Sequence, residues 1–397
     1  MLKVSGKIIS LTLAAVLLMT GCGNADNNAS SSDVSSASMQ SSDNTKDTGE
    51  GAASSSEDDI ASSEVESSDS SEEAQEAPVY SFTEEEIKEA VSDTVFPSTA
   101  GKLRVLGTQL CSSDGKPVQL RGVSTHGIQW FPDYVNQDLF YELHSEWNAN
   151  AVRLALYTAE YDGYCNGGDQ EKLKELMLTG VEYACNADIY AIIDWHTMRD
   201  GDPTTYQDEA VKFFDEMSLK CKDYDHVIYE ICNEPNTVPW KVIREYALKV
   251  IPVIRANDPD AVILIGTPIY CKAPTEVKKA PITEYDNLMY DLHFYAASHQ
   301  KSIQVEVDGC AKAGIPIFVS EFGICSNSGT GSLNYEWGDS WIELLNEHGV
   351  SYMCWQLSNK HETSSLIKEE CTKTSGFEYD ELSEQGQWVL ETYGRNK

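Results

Sequence analysis

The stretch that most constrains the fold lies at residues 227–240 and reads VIYEICNEPNTVPW. Its first half is apolar and aromatic, which favours a strand that is covered on both faces, as in a parallel sheet. The run stops at Asn233, Glu234 and Pro235, because proline cannot continue a central strand. We therefore expect a carboxylate and an amide at the carboxyl end of a buried strand, where barrels of parallel strands carry their chemistry.

A second stretch, residues 315–323, repeats this pattern. It reads IPIFVSEFG, a β-branched and aromatic run that ends in the carboxylate Glu321. One such glutamate by itself would be interpreted as a surface carboxylate at a strand end. Two of them suit glycoside hydrolysis, which needs a proton donor and a second carboxylate that acts as nucleophile or base.

Eight strand patterns follow one another along the chain, and most are separated by a helical pattern. The predicted strands are residues 118–123, 151–156, 190–194, 227–231, 262–266, 288–292, 315–320 and 351–355. Helical periodicity occurs at residues 138–147, 170–186, 208–222, 242–256 and 337–348, and it is weakest after 262–266. The alternation predicts an α/β fold, a (β/α)₈ TIM barrel. The alternative is a doubly wound open sheet, although no glycine-rich phosphate loop follows any strand.

The first 22 residues have the pattern of a targeting segment. Lys3 and Lys7 precede a short apolar run that is shorter than a comfortable membrane span. The run ends in LMTGC, which resembles a bacterial lipoprotein signal in which Cys22 is lipidated and becomes the new N-terminus. The alternative is an ordinary secretory signal with an incidental cysteine.

Residues 23–80 have the composition of a disordered linker. They hold 17 serines and 14 acidic residues against one lysine, too few apolar groups to offset the entropy of ordering. The whole chain of 397 residues carries a net charge of −35, which argues against nucleic acid and anionic membrane surfaces as partners. We predict a signal at 1–22, a linker at 23–80 and a catalytic domain at 81–397, in a monomer outside the cell that contacts the membrane only through its lipid anchor.

Eight motifs from residue 100 onwards resemble glycoside hydrolase family 5, and most of all its bacterial endo-β-1,4-glucanases. They are, in chain order, LRGVSTHGIQW, VRLALYTAEYDGY, AIIDWHTMRDGDP, VIYEICNEPN, IGTPIY, LMYDLHFYAASH, IPIFVSEFG and CWQLSNKHETSSLI. The chain departs from the family pattern at Phe322, where the family usually has tryptophan, and at Gln356, where it usually has asparagine.

The resemblance implies roles for five residues. Glu234 corresponds to the acid/base of the family and Glu321 to its nucleophile. Asn233 corresponds to the residue that binds the sugar 2-OH, and Tyr295 to the donor to the nucleophile. Arg153, at a strand end, is expected to bind Glu321 as well. Two donors favour the charged form of Glu321, whereas burial and negative neighbours favour the protonated form of Glu234.

Three histidines, His126, His196 and His293, each fall just beyond a predicted strand. Three imidazoles could ligate zinc, but no closely spaced motif such as H-E-x-x-H is present, and the resemblance implies no catalytic metal. We interpret them as groups that bond the sugar and the two carboxylates, and we expect no cofactor. The alternative for each is a structural histidine.

Four further residues are candidates for substrate binding. The flat indole faces of Trp130 and Trp355 match the C–H face of a pyranose, although a lone tryptophan is more often part of the core. Lys360 and Glu362 could bond sugar hydroxyls from a loop, or form a solvated loop pair.

Glu230 lies four residues before Glu234 and shares its face at the strand period of two. We interpret it as a structural carboxylate inside the barrel, paired with Arg121. Ten cysteines follow Cys22 without metal-ligand spacing. Of these, Cys232 and Cys354 lie in strand patterns and are expected to be small core residues.

The sequence thus predicts a retaining endo-β-1,4-glucanase that acts on a β-glucan polysaccharide. A mannanase or xyloglucan hydrolase is the alternative within the same class. A lipoprotein that binds oligosaccharide without cleaving it is the alternative from another class, and the intact pair of glutamates argues against it.

Overall fold

The computed structural model describes residues 80–394, so the predicted signal and almost all of the predicted linker lie outside the described residues. The strands are β1 Arg104–Leu106, β2 Gln109–Cys111, β3 Arg121–Thr125, β4 Ala151–Tyr157, β5 Tyr190–His196, β6 Val227–Glu230, β7 Val262–Ile265, β8 Leu288–Tyr295, β9 Ile317–Gly323 and β10 Tyr352–Leu357. The α-helical segments are α1 Glu84–Ser92, α2 Pro97–Ala100, α3 Gln137–Ser145, α4 Gln170–Asn186, α5 Gln207–Cys221, α6 Trp240–Asn257, α7 Pro268–Cys271, α8 Lys301–Ala313, α9 Tyr335–Glu347 and α10 Glu384–Gly394. Short 3₁₀ turns lie at Pro132–Tyr134, Pro203–Tyr206, Pro274–Lys279 and Tyr379–Glu381.

Strands β3 to β10 form one closed barrel of parallel strands. Each strand pairs with its neighbour in chain order, and β10 pairs with β3 to complete the closure. Helices cover the outside and connect most consecutive strands. The predicted (β/α)₈ barrel is therefore confirmed, and the doubly wound open sheet is excluded because the barrel has no edge strand.

The barrel interior is apolar at its amino-terminal end. Side chains from seven strands, β4 to β10, form one cluster there with Leu103 and Leu110, which come from the segment around the β1–β2 hairpin. The barrel members of this cluster include Ile192, Ile228, Leu264, Met289, Phe318 and Met353. A second, larger layer fills the space between the strands and the helices, with Val152, Tyr229 and Val319 on the strand side. Since the amino-terminal end of the barrel is filled by this apolar cluster, the polar groups in the barrel centre lie towards its carboxyl end.

Several local predictions agree closely with the structure. Helix α4 begins and ends at the predicted residues, Gln170 and Asn186. A capping box formed by Thr83 and Glu86 begins α1. The helical pattern was weakest after β7, and here the structure has only the short turn α7 and a 3₁₀ turn. A regular helix does not continue because Ile269 and Tyr270 adopt positive φ angles of 62° and 59°. No helix between residues 80 and 394 combines the length and the apolar composition that a membrane span requires.

Candidate active site

Glu234 and Glu321 meet at the carboxyl end of the barrel. Glu234 follows β6, after the strand has ended, and Glu321 lies within β9. Both side chains are buried, with 6% and 5% of the residue surface exposed. An oxygen of each carboxyl group lies within 4.8 Å of the other and of a ring nitrogen of His293. The structure thus brings together the two glutamates that the sequence singled out.

A bulge in β9 turns Glu321 into the barrel. Phe318 is paired with Asp291 of β8, but Glu321 is paired with His293, so β9 has one residue more than β8 over this interval. An extra residue of this kind re-aims the side chains that follow it. As a result the consecutive residues Ser320 and Glu321 both make contacts inside the barrel.

Glu321 accepts hydrogen bonds from two donors. The Tyr295 hydroxyl donates to Oε1 at 2.6 Å, and Nη1 of Arg153 donates to Oε2 at 3.4 Å. Burial nevertheless raises the pKa of Glu321 above its ordinary value, and the nearby charge of Glu234 raises it further. The sequence-based expectation that two donors keep Glu321 charged therefore omitted burial, which has the larger effect on its pKa. When Glu234 carries a proton its contribution disappears, so protonation of one carboxyl favours ionisation of the other.

Glu234 has the environment of a proton donor. Its Oε1 lies 3.0 Å from Nδ1 of His293, and within the described residues no arginine or lysine forms an ion pair with it. Burial raises the pKa of Glu234 to about 7, opposed by the more distant charges of Arg153 and Lys272 and reinforced by Glu230. The sequence-based expectation that burial and negative neighbours raise this pKa agrees with the structure.

Arg153 is the centre of a buried charged layer beneath the two glutamates. It is fully buried and bonds Glu230 through two nitrogens, at 2.7 and 2.8 Å. Its Nη2 lies 3.0 Å from Asp194 Oδ2, and Glu321 is the third carboxylate partner. One guanidinium thus offsets the charge of three buried carboxyl groups and holds them at fixed positions relative to one another.

The predicted pairing of Glu230 with Arg121 is wrong. Arg121 instead bonds the backbone oxygens of Val91 and Asp93 and the hydroxyl of Thr94. The reason is the strand register, because Arg121 begins β3 at the amino-terminal end of the barrel and extends towards the segment after α1. Glu230 is a structural carboxylate as expected, but Arg153 is its partner.

Asn233 is held in one orientation by partners on both sides of its amide. Its Oδ1 accepts a bond of 2.7 Å from Arg153, and its Nδ2 donates to Nε2 of His196 at 3.2 Å. The other ring nitrogen of His196, Nδ1, lies 2.6 Å from a carboxyl oxygen of Asp194. This chain sets the amide orientation before any substrate arrives. Asp194 escaped the sequence analysis, although it lies two residues before His196 on the same strand face.

The third histidine, His126, lies on the other side of the barrel mouth. Its Nδ1 accepts a bond of 2.6 Å from the Gly127 amide, and its Nε2 lies 3.2 Å from the Lys360 ammonium. Burial, together with Lys360, lowers the pKa of His126 to about 3, so the ring is neutral. Lys360 also pairs with Glu362 at 2.5 Å. The two loop residues thus form an ion pair that reaches the barrel mouth.

The two predicted stacking platforms differ in exposure. Trp355 is only 6% exposed, because one face of its ring stacks on His196 with a centroid distance of 5.2 Å. Trp130 is half-buried, and its Nε1 donates to the backbone oxygen of Tyr161 at 3.0 Å. Both lie in the aromatic cluster at the mouth rather than in the outer core. Cys232 and Cys354 are buried, as the sequence predicted. Four other tryptophans are also buried, namely Trp195, Trp240, Trp341 and Trp388.

One exposed aromatic beside the acid/base candidate was missed. Tyr270 is 43% exposed in the turn α7, and its backbone N–H donates to the Pro235 oxygen at 3.1 Å. The Lys272 ammonium lies 5.2 Å from the centre of its ring. The only signal in the sequence was a tyrosine shortly after a predicted strand end, which is too common a pattern to single it out.

The chain is a (β/α)₈ barrel with two buried glutamates at its mouth, of which Glu234 contacts a histidine and Glu321 accepts bonds from a tyrosine and an arginine. This fold and site define the class of protein as a glycoside hydrolase. The family model of cellulases, described as glycosyl hydrolase family 5, matches residues 111–361. This match covers more than half of the chain, and the chain belongs to glycosyl hydrolase family 5.

Curated relatives and a solved structure support this membership. Endoglucanase A of Butyrivibrio fibrisolvens is 43% identical over 319 residues, which are 79% of this chain and 74% of that protein. An endoglucanase of Clostridium saccharobutylicum is 38% identical over 75% of this chain and 66% of its own length. The catalytic domain of Thermobifida fusca endoglucanase Cel5A, solved in complex with cellotetraose, superposes with a TM-score of 0.71 at 35% identity, covering 74% of this chain and 98% of that domain.

Proposed function

We propose that the chain is a retaining endo-β-1,4-glucanase that uses Glu321 as nucleophile and Glu234 as acid/base. The observation that carries the proposal is the separation of the two carboxyl groups, whose oxygens lie within 4.8 Å. Retaining enzymes hold the two groups about 5–5.5 Å apart, and inverting enzymes about 6.5–9.5 Å apart. The shorter spacing supports direct attack by a carboxylate, because an inverting enzyme must fit a water molecule beside its base.

In the first step, Glu321 attacks the anomeric carbon while Glu234 protonates the departing glycosidic oxygen. The environments support this division. Glu321 has two hydrogen-bond donors that favour its charged form, from Tyr295 and Arg153. Burial raises the pKa of Glu234 to about 7, so about half of the molecules carry the proton on Glu234 at pH 7 and nearly all do at more acidic pH.

In the second step, Glu234 is a carboxylate and takes a proton from the water that attacks the covalent intermediate. Glu321 then leaves as a carboxylate, and the configuration at the anomeric carbon is restored. In this proposal Asn233 bonds the sugar 2-OH, a contact that strengthens in the transition state. The fixed orientation of its amide, which bonds Arg153 on one side and His196 on the other, supports this role.

The relatives support β-1,4-glucan as the substrate. Two curated relatives are named endoglucanases, and the similar Thermobifida fusca domain was solved with cellotetraose.

Release of reducing ends from carboxymethyl cellulose, mannan and xyloglucan tests the proposal. We expect the fastest release from carboxymethyl cellulose, and a β-configured product in proton NMR spectra recorded before mutarotation. An α-configured first product would refute the two-step mechanism. Release from mannan or xyloglucan alone would make the chain another β-glycanase. Binding of these polymers without any release would leave an oligosaccharide-binding lipoprotein.

The proposed location is the outer face of the cell membrane, with Cys22 lipidated and residues 23–80 as spacer. The sequence LMTGC and the serine-rich, acidic composition after it support this location. Cys22→Ala is expected to move the protein from the membrane fraction to the medium without changing the activity per molecule. Wild-type protein that is already free in the medium would contradict the lipid anchor.

A further inference from the structure

Four side chains form a continuous hydrogen-bonded chain beneath the acid/base. Glu234 Oε1 lies 3.0 Å from His293 Nδ1, and His293 Nε2 lies 2.8 Å from the Ser320 hydroxyl oxygen. The Ser320 hydroxyl in turn donates to Glu230 Oε1 at 3.1 Å. Every member is buried, with at most 6% of its surface exposed, so water does not exchange freely with these contacts.

Glu230, the last member of this hydrogen-bonded series, decides where the protons of the series lie. Glu230 receives two bonds from the Arg153 guanidinium, which is always charged, so Glu230 acts as an acceptor. A serine hydroxyl has one proton, and here it points to Glu230. The lone pairs of Ser320 are then left to face His293, whose Nε2 must carry the proton that completes the 2.8 Å bond.

The His293 ring is neutral. Burial lowers the pKa of His293 to about 4, and the nearby Arg153 charge acts in the same direction, against Glu321 and Glu230. A neutral imidazole has one N–H and one acceptor nitrogen. With its proton on Nε2, the acceptor is Nδ1, which faces Glu234.

We infer that Ser320 is a positioning residue that holds His293 in the Nε2–H tautomer, so that Nδ1 accepts a hydrogen bond from the protonated carboxyl of Glu234. The inference rests on the proposed function in that Glu234 is the general acid. The inference adds the reason why Glu234 stays protonated before the reaction, namely the hydrogen bond that His293 Nδ1 accepts from it. Once Glu234 has given up its proton, its carboxylate faces a lone pair, which favours taking a proton from the incoming water.

The neighbouring charges do not offer Ser320 a better acceptor. Asp291 also lies in this layer, and a hydrogen bond from Ser320 lowers its pKa, but burial and the adjacent Glu230 have the larger effect and raise the pKa of Asp291 well above its ordinary value. Asp291 is therefore a weaker acceptor for the Ser320 hydroxyl than Glu230, which Arg153 holds in its charged form. The other titratable groups that act on His293 or on this layer come from several strands and from the turns after β7 and β8: Arg153, Asp194, His196, Lys272, Tyr295, His299 and Glu321. None of these groups forms a hydrogen bond with His293 Nε2, whose partner among the described residues is the Ser320 hydroxyl.

Ser320→Ala tests the inference through the pH profile. Without the hydroxyl, the ring can adopt the Nδ1–H tautomer and donate to ionised Glu234, which lowers the pKa of the acid. We expect the alkaline limb of kcat/KM on β-glucan to move down by about one pH unit, equal to a tenfold loss well above the limb. An aryl cellobioside whose leaving group needs no proton should keep its kcat/KM, and Ser320→Thr, which retains the hydroxyl, should restore the wild-type limb.

The matched control is Ser351→Ala. Ser351 is also a buried serine, but its hydroxyl accepts from the Leu120 amide at the opposite end of the barrel. Its loss is expected to lower stability without moving the alkaline limb. An alkaline limb that stays in place in Ser320→Ala, with equal losses on both substrates, would overturn the inference.

Nitrogen NMR of the purified protein with ¹⁵N-labelled histidine reads the tautomer directly and does not depend on activity. Comparison with His293→Gln assigns the resonance. We expect Nε2–H in the wild type, and wild-type protein in the Nδ1–H form would refute the role of Ser320. If the wild type hydrolyses no β-glucan, the proposed function fails, but this tautomer measurement still decides the inference about Ser320.

Discussion

Replacement of Arg153 by methionine would remove the one positive charge of the buried layer. The guanidinium is fully buried and bonds Glu230, Asp194 and Glu321, so methionine would leave three carboxyl groups without a counter-charge. Breaking a buried ion pair by removing one partner costs ~3–5 kcal/mol, because the remaining charge stays desolvated. We expect a loss of stability of this size.

The expected change in melting temperature follows from the size of the domain. For about 300 residues, an unfolding entropy of ~2.1 cal/mol/K per residue amounts to ~0.6 kcal/mol/K, so the melting temperature should fall by about 5–8 °C. Denaturant unfolding, followed by circular dichroism, would give the free energy of unfolding itself.

The pH dependence of the loss separates charge from packing. Burial already raises the pKa of Asp194 to about 7 and raises that of Glu230, and Arg153 opposes both shifts. Without Arg153 these pKa values rise further, so the folded variant binds more protons than the folded wild type around and above pH 7. Stability then falls as pH rises. The deficit of Arg153→Met should therefore be large at about pH 8.5 and shrink towards about pH 5.5.

Arg121→Met is the matched control. Arg121 is equally buried, but its partners are two backbone oxygens and the Thr94 hydroxyl rather than carboxylates. Its loss of stability should be the same at both pH values. A deficit of Arg153→Met that does not change with pH, or one that Arg121→Met reproduces, would refute the view that Arg153 acts by offsetting buried carboxylates.

Three further predictions concern catalysis. With an activated aryl β-cellobioside and azide, Glu234→Ala should yield the β-glycosyl azide and Glu321→Gly the α anomer; anomers found the other way round in NMR spectra would reverse the two roles. Tyr295→Phe removes the hydroxyl that donates to Glu321 at 2.6 Å, so the pKa of the nucleophile should rise and the acid limb of kcat/KM should move to higher pH. A limb that does not move would show that this bond does not affect the pKa of Glu321. Trp355→Ala should raise KM and lower kcat while the far-ultraviolet circular dichroism is kept, with stacking worth ~1–3 kcal/mol on the scale of base–aromatic contacts; unfolding without a kinetic effect would make Trp355 a core residue.

Much of the fold follows from local patterns in the sequence. All eight barrel strands lie within a few residues of their predicted positions, because a strand buried on both faces is a largely apolar run with few polar residues. Within a regular strand, the period of two also predicts that Asp291, His293 and Tyr295 share one face of β8, and all three belong to the barrel interior. Helix α8, Lys301–Ala313, was not among the predicted helices, since its apolar stripe is short and includes Gln304 among its buried residues.

The sequence by itself determined the barrel, the family, and the presence of Glu234 and Glu321 at strand ends. Only the tertiary structure decided how these groups are partnered. Arg153 rather than Arg121 contacts Glu230, because β4 and β6 flank β5 and their inward side chains meet inside the barrel. The bulge in β9 turns Ser320 and Glu321 inward together. A regular period of two would have put one of them outside, and local sequence patterns do not encode a register that depends on the neighbouring strand.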